Sequence, residues 1–229
     1  MVKVNKKYKD RLFRMVFNRK EELLSLYNAI SHSEYTNPEE LEINTLDDVI
    51  YMKMKNDLAF LIDDVLNLWE HQSTWNPNMP VRGTLYIVEE YRKYIEQNGL
   101  NLYGSRLITL PIPQFYVFYN GLKEEPDYIE LKLSDAFSRV HSELEPCMEF
   151  KAIMMNINRG HNEGLMKQCS TLREYAEFVA RIRERTKDGT ALGTAVEDVM
   201  DSCIRDGVLA EFLSIHRADV FQVLLTEYD

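Results

Sequence analysis

Two acidic residues, Asp57 and Glu70, bracket a stretch whose spacing could support metal-assisted phosphoryl chemistry. Between them the apolar runs LAFLI and VLNLW enclose Asp63-Asp64, a pair of turn-forming type. Neither run alternates, which predicts strands covered on both faces, as in the centre of an α/β sheet. With Asp63-Asp64 as a tight turn, Ile62 faces Val65, and Asp57 comes opposite Glu70 with Cβ atoms ~5 Å apart. Lys55 then lies opposite Gln72 on the same face, because side chains alternate with period two. Two facing carboxylates cannot both ionise cheaply. A divalent cation resolves the repulsion, since Mg²⁺ takes oxygen ligands and is often held by one or two carboxylates plus substrate phosphate. Such an ion polarises a phosphate and acidifies a bound water. The competing reading places Asp57 at the start and Glu70 at the end of strands on the solvated sheet edge.

The elements that must position these residues follow from periodicity. Residues 8–31 read as helix with a break at Asn18, and 32–42 as a polar loop. Residues 43–54 end in the alternating VIYMKM and read as a strand. After the hairpin and the loop STWNPNMP, residues 80–97 read as helix. Pro80 sits in its first turn, Leu85, Val88, Tyr91 and Ile95 form its stripe, and Asn98-Gly99 stops it. FYVFY reads as a strand closed by Asn120-Gly121. Residues 122–146 read as a charged loop with a short helix, and 148–157 as a strand. From 162 onward the pattern is helical, over roughly 162–186, 190–206, 208–215 and 216–226. The order predicts an α/β core over residues 1–158 with a helical C-terminal region over 159–229.

Bulk properties exclude several classes. Apolar residues make up 45% and charged residues 28%, an ordinary globular balance, with no apolar run long enough to span a membrane. The basic N-terminus lacks the apolar core of a secretory signal. Three widely spaced cysteines, Cys147, Cys169 and Cys203, form no zinc or disulfide framework and predict reduced thiols in a cytoplasmic protein. The formal net charge is −10, yet residues 1–20 carry eight bases against one acid. Lys9, Arg11 and Arg14 belong to this basic arm, which predicts either phosphate contacts or a solvated helix face. No P-loop, GxGxxG or nucleophile elbow is present.

Asp57, the hairpin and the following Glu70-His71-Gln72-Ser73 resemble the nuclease-family transposases of PD-(D/E)XK type, relatives of the YhgA-like and recombination-promoting nucleases. The resemblance runs along nearly the whole chain. It takes in YKDRLFRMVF, LDDVIYMKMKNDLAFLI, NLWEHQSTWNPNMPVRGTLYI, YGSRLITLPIPQFYVFYNG, LKLSDAF, MNINRGHN, LREYAEFV and EFLSIHRADVFQVLLTEYD. It implies a restriction-endonuclease-like α/β core, a central mixed sheet flanked by helices, acting on DNA with Mg²⁺ or Mn²⁺. It carries the family's acidic pair onto Asp57 and Glu70, a further metal ligand onto the His71 carbonyl, and a support or capping role onto Asp10. The position that holds lysine in most nucleases of this fold is Gln72, the variant usual among these relatives. Glutamine orients a water but brings no charge, so Lys55 is expected to supply it. Arg82, one turn before Tyr86, matches a family arginine and suits phosphate contact, with a structural role as the alternative.

The expected activity is therefore Mg²⁺-dependent DNA cleavage linked to mobile elements, recombination or defence. The alternatives are a catalytically inactive nuclease-fold module binding DNA or protein, and an interaction role for the acidic helical tail. The sequence also allows a homodimer. His71 is expected to point away from Glu70 and pack. Trp69 is expected in the core, and Trp75 lies in a loop where it could stack on a base.

Overall fold

The structure, a computed structural model, describes residues 8–43, 58–141, 143–187 and 189–225. Asp57 and Lys55, and most of the strand expected over 43–54, lie outside the described residues.

The chain opens with α1 (Tyr8–Phe17) and α2 (Lys20–Ser31), separated as expected near Asn18. A two-residue strand β1 (Glu42–Ile43) and the hairpin strands β2 (Leu58–Ile62) and β3 (Val65–Gln72) follow. Next come α3 (Met79–Gln97), β4 (Ile112–Tyr119), β5 (Tyr128–Lys132) and β6 (Lys151–Asn156). Five helices close the described chain: α4 (Glu163–Gln168), α5 (Ser170–Lys187), α6 (Leu192–Asp206), α7 (Ala210–Ile215) and α8 (Arg217–Leu225).

Among the described residues the strands form one mixed sheet in the order β1-β2-β3-β4-β6-β5. β3 and β4 pair in parallel, as do β4 and β6, and the outer pairs are antiparallel. β3 and β4 are therefore paired on both sides and covered on both faces, which is why their apolar runs do not alternate. The hairpin register is the expected one. Ile62 pairs with Val65 and Leu58 with Trp69. The turn works because both Asp63 (φ 46) and Asp64 (φ 59) adopt the left-handed conformation of a type I′ turn. The Tyr35 hydroxyl donates to Asp63 Oδ2 at 2.9 Å and holds its outer side.

Period two divides β3 between two cores. Trp69 and His71 face the helical side, where Trp69 meets Phe60 and Phe118 edge-on at 4.9 and 5.3 Å. That core also takes Leu12, Phe13, Leu23, Tyr175, Phe178, Val196 and Leu213, so it draws on α1, α2 and the helices after residue 159. The division expected at residue 158 therefore marks no break in packing. The C-terminal helices cover one face of the sheet and are not an appendage. Leu66 and Leu68 face the other way, with Phe115, Val117, Met154, Tyr86 and Ile87, beneath α3.

Four local expectations need correction. The stripe on α3 is half right: Tyr91 packs on the core, but Leu85 and Val88 are exposed, and the buried positions are Met79, Pro80, Gly83, Tyr86, Ile87 and Glu90. The 122–146 segment contains β5, an edge strand whose residues alternate exposed and half-buried. The strand expected from FYVFY starts earlier, at Ile112. The helix expected over 162–186 breaks at Cys169, which adopts an extended conformation between α4 and α5. All three cysteines are free thiols. Among the described residues no helix is long and apolar enough to cross a membrane.

Candidate functional site

The C-terminal end of β3 brings three expected site residues together. Glu70 and Gln72 share the α3 face by strand alternation, and Glu70 is buried at 3% exposure. Gln72 Nε2 lies 3.4 Å from Glu70 Oε1. The loop after β3 turns the chain back into α3, whose first turns carry Arg82 over the same carboxylate, and Arg82 Nη2 donates to Glu70 Oε1. Tyr86, one turn further along α3, accepts from Arg82 Nε at 3.2 Å and Nη2 at 2.8 Å. Burial opposes the charge on Arg82, but the Glu70 carboxylate and the Tyr86 hydroxyl outweigh it, and the guanidinium pKa stands above its ordinary value.

Asp57 is the residue before Leu58, and Glu70 is the residue after Trp69. Those inner neighbours pair across the hairpin. Asp57 itself, and Lys55, lie outside the described residues.

His71 projects to the opposite face, as expected, and is 1% exposed. Its Nδ1 lies 2.8 Å from Asp10 Oδ1, and its Nε2 lies 3.0 Å from the Tyr175 hydroxyl, which also reaches the Lys9 carbonyl at 3.1 Å. The Asp10 carboxylate accepts, which puts a proton on Nδ1, and the single Tyr175 hydroxyl proton serves Nε2 or the Lys9 carbonyl but not both at once. Burial holds the imidazole pKa below its ordinary value, against the pull of Asp10. The ring is thus clamped at both nitrogens by α1 and α5. Its peptide, between Glu70 and Gln72, is fixed from behind. Asp10, in the first turn of α1, supports the strand.

The basic arm is corrected at Lys9. This side chain is buried, and Nζ donates to the Asn120 carbonyl at 3.1 Å. Burial, and then the nearby Arg183 charge, lowers its pKa to about 7, so Lys9 is an interior strut and not a solvated phosphate contact. Arg11 and Arg14 are half-buried on α1. Arg19 and Lys20 are ion-paired to Glu211 and Glu39.

Arg183 on α5 carries no role in the sequence reading. It donates through Nη1 to Asn158 Oδ1 at 2.6 Å, and through Nη2 to Asn120 O at 2.5 Å and Asn120 Oδ1 at 2.7 Å. It ties the ends of β4 and β6 together beside Gln72, whose carbonyl accepts from Asn120 N at 2.8 Å. Only the two asparagines, in YNG and NRGHN, could have signalled it. Trp75 is half-buried against the α3 core, and Lys123 Nζ lies 5.4 Å from its ring centroid, so a cation covers the surface expected to stack on a base.

A cleft of about 550 Å³ lies on the helical side, lined by Arg159, His161, Lys167, Arg173, Glu174 and Glu177 among others, with neither Glu70 nor Gln72 in its wall. Arg159 pairs with Glu177 across it, so its charges largely satisfy one another. Among the described residues no group of three His, Cys, Asp or Glu side chains is placed to hold a metal ion. Comparison of the chain with models of protein families, with curated proteins and with solved structures finds no match.

Proposed function

We propose that this chain is a divalent-metal-dependent DNA endonuclease with a core of the PD-(D/E)XK type, akin to the transposase-like and recombination-promoting nucleases. The observation that carries the reading is the buried carboxylate of Glu70, grouped with Gln72 and Arg82 at the C-terminal end of a central strand. A buried carboxylate that merely filled a core would cost free energy that an apolar residue avoids. The sheet type and the hairpin register agree with the reading.

The donors that β3 offers are hard oxygens: the Glu70 carboxylate, the His71 carbonyl and the Gln72 amide oxygen. That chemistry fits Mg²⁺ or Mn²⁺ and not a soft metal. Asp57, Glu70 and the His71 carbonyl would hold the ion, which when bound polarises a phosphate and acidifies a water. The Gln72 amide orients the attacking water. The clamp on His71 keeps its carbonyl, and therefore Glu70 and Gln72, in a fixed spacing. Arg82 faces the phosphate side of the carboxylate.

One observation favours a second reading. Arg82 already neutralises Glu70, as it would in a nuclease-fold module that binds DNA or protein without cleaving. The purified 229-residue chain incubated with supercoiled plasmid and Mg²⁺ or Mn²⁺, beside an Asp57→Ala, Glu70→Ala double variant, separates the two. Nicking or linearisation by the wild type, reduced at least about 100-fold in the variant, is expected. Absence of cleavage by both folded proteins rejects the enzyme.

A further inference from the structure

The end of β3 presents an acid and a neutral amide, Glu70 and Gln72, and no cation of its own. Phosphodiester cleavage develops negative charge on the phosphoryl oxygens, and preorganised positive donors aimed at that charge are commonly the largest catalytic term. Three features mark Arg82 for that task. Its guanidinium reaches Glu70 Oε1, the oxygen that Gln72 Nε2 also approaches at 3.4 Å, so it sits at the reacting centre and not on an outer groove wall. Tyr86 holds Nε and Nη2 at 3.2 and 2.8 Å, which fixes the plane of the fork. The third nitrogen, Nη1, meets only the Met79 sulfur among the described residues, at 3.6 Å. A thioether is a weak acceptor, and a phosphate oxygen would replace it at a large gain. The side chain is 31% exposed, so it is not sealed from solvent or from an incoming ligand.

We infer that Arg82 is a catalytic residue, donating from Nη1 to a non-bridging oxygen of the scissile phosphate while Nη2 keeps Glu70 aligned. The inference rests on the nuclease reading above and names the group that supplies its transition-state charge. It differs from a phosphate contact made equally in ground and transition states, which would raise KM and leave kcat unchanged.

The test compares wild type, Arg82→Gln and Arg82→Lys on plasmid DNA with Mn²⁺. Folding is checked by thermal melting, and DNA affinity by fluorescence anisotropy in Ca²⁺. Arg82→Gln is expected to lose at least about 100-fold in kcat with DNA affinity changed less than about threefold, and added guanidinium ion is expected to restore part of the rate. Arg82→Lys retains activity but acquires an alkaline limb in its pH–rate profile. Lysine titrates near 10.4, whereas arginine stays charged throughout. Wild-type cleavage alongside a fully active Arg82→Gln variant overturns the role of Arg82 and leaves the nuclease reading standing. So does a loss confined to KM, or one that guanidinium does not relieve. A folded wild type that cleaves nothing overturns both.

Discussion

At Glu90 the fold buries a carboxylate roughly 12 Å along α3 from Arg82, one turn beyond Tyr86. It is 3% exposed, its Oε1 has no hydrogen-bond partner among the described residues, and the Lys93 amine stands 3.8 Å away. Burial wins over that cation and raises the Glu90 pKa to about 7. The folded chain therefore binds this proton more tightly than the unfolded chain does. The resulting stability is fully present below the ordinary carboxyl pKa of ~4.3 and is lost as pH rises through about 7. Glu90→Gln is expected to remove that slope and to raise stability above pH 8, by up to about 3 kcal/mol. Urea denaturation of both proteins at pH 5, 6, 7 and 8 measures it, and parallel curves would refute it. Glu90 differs from Glu70 in having no arginine fork and no amide beside it, so the two buried acids on this face serve different ends.

Among the elements, α3 sets the geometry of the site and shows how tightly it is seated. A Cβ on Gly83 would come within 2.5 Å of Phe115 Cδ1 and 2.6 Å of Phe150 Cε1. Gly→Ala inside a helix ordinarily stabilises by roughly 1 kcal/mol. Here the clash is with two rings packed between helix and sheet, so Gly83→Ala is expected to destabilise by about 1–3 kcal/mol. It should also lower any DNA cleavage by shifting Arg82, one residue away. A urea midpoint unchanged or raised would contradict the close packing. This helix also marks where the sequence could be read and where it could not. Pro80 and Asn98-Gly99 located its ends within a residue or two. Its face was partly misread because Leu85 and Val88 are apolar yet point to solvent, while Gly83 and Glu90, which no hydropathy pattern selects, point inward. The hairpin was legible because Asp63-Asp64 is a strong turn signal between two long apolar runs, and period two then placed Glu70, His71 and Gln72 on their faces. β5 was hidden because two of the five residues of YIELK are charged and it lies at the sheet edge, where only one neighbour strand and little burial shape its composition. The tertiary partners of the site, Tyr175 with Asp10 and Arg183 with the two asparagines, join residues far apart in the chain, and nothing local announces them.

For the molecule as a whole, the central feature is that Trp69 and Glu70 are consecutive yet belong to opposite cores, on a strand paired by β2 on one side and β4 on the other. No loop carries Glu70, His71 or Gln72, and the last of the β3–β4 pairs is Gln72 with Tyr119. Backbone amides held in this way open only when the sheet itself comes apart. Hydrogen exchange of the amides from Leu66 to Trp69, which lie between β2 and β4, is therefore expected to report one free energy, equal to that of global unfolding. Amides of the 98–111 connection should exchange orders of magnitude sooner. An opening free energy at Asn67 or Trp69 well below that at Leu68 would contradict this. The strand that carries Glu70 thus has the lifetime of the fold. A ligand meets Glu70, Gln72 and Arg82 already grouped and spends none of its affinity on bringing those three together. Control acting on Glu70, Gln72 and Arg82 would then work by blocking or competing for them, because among the described residues β3 offers no separate hinge through which they could be taken apart.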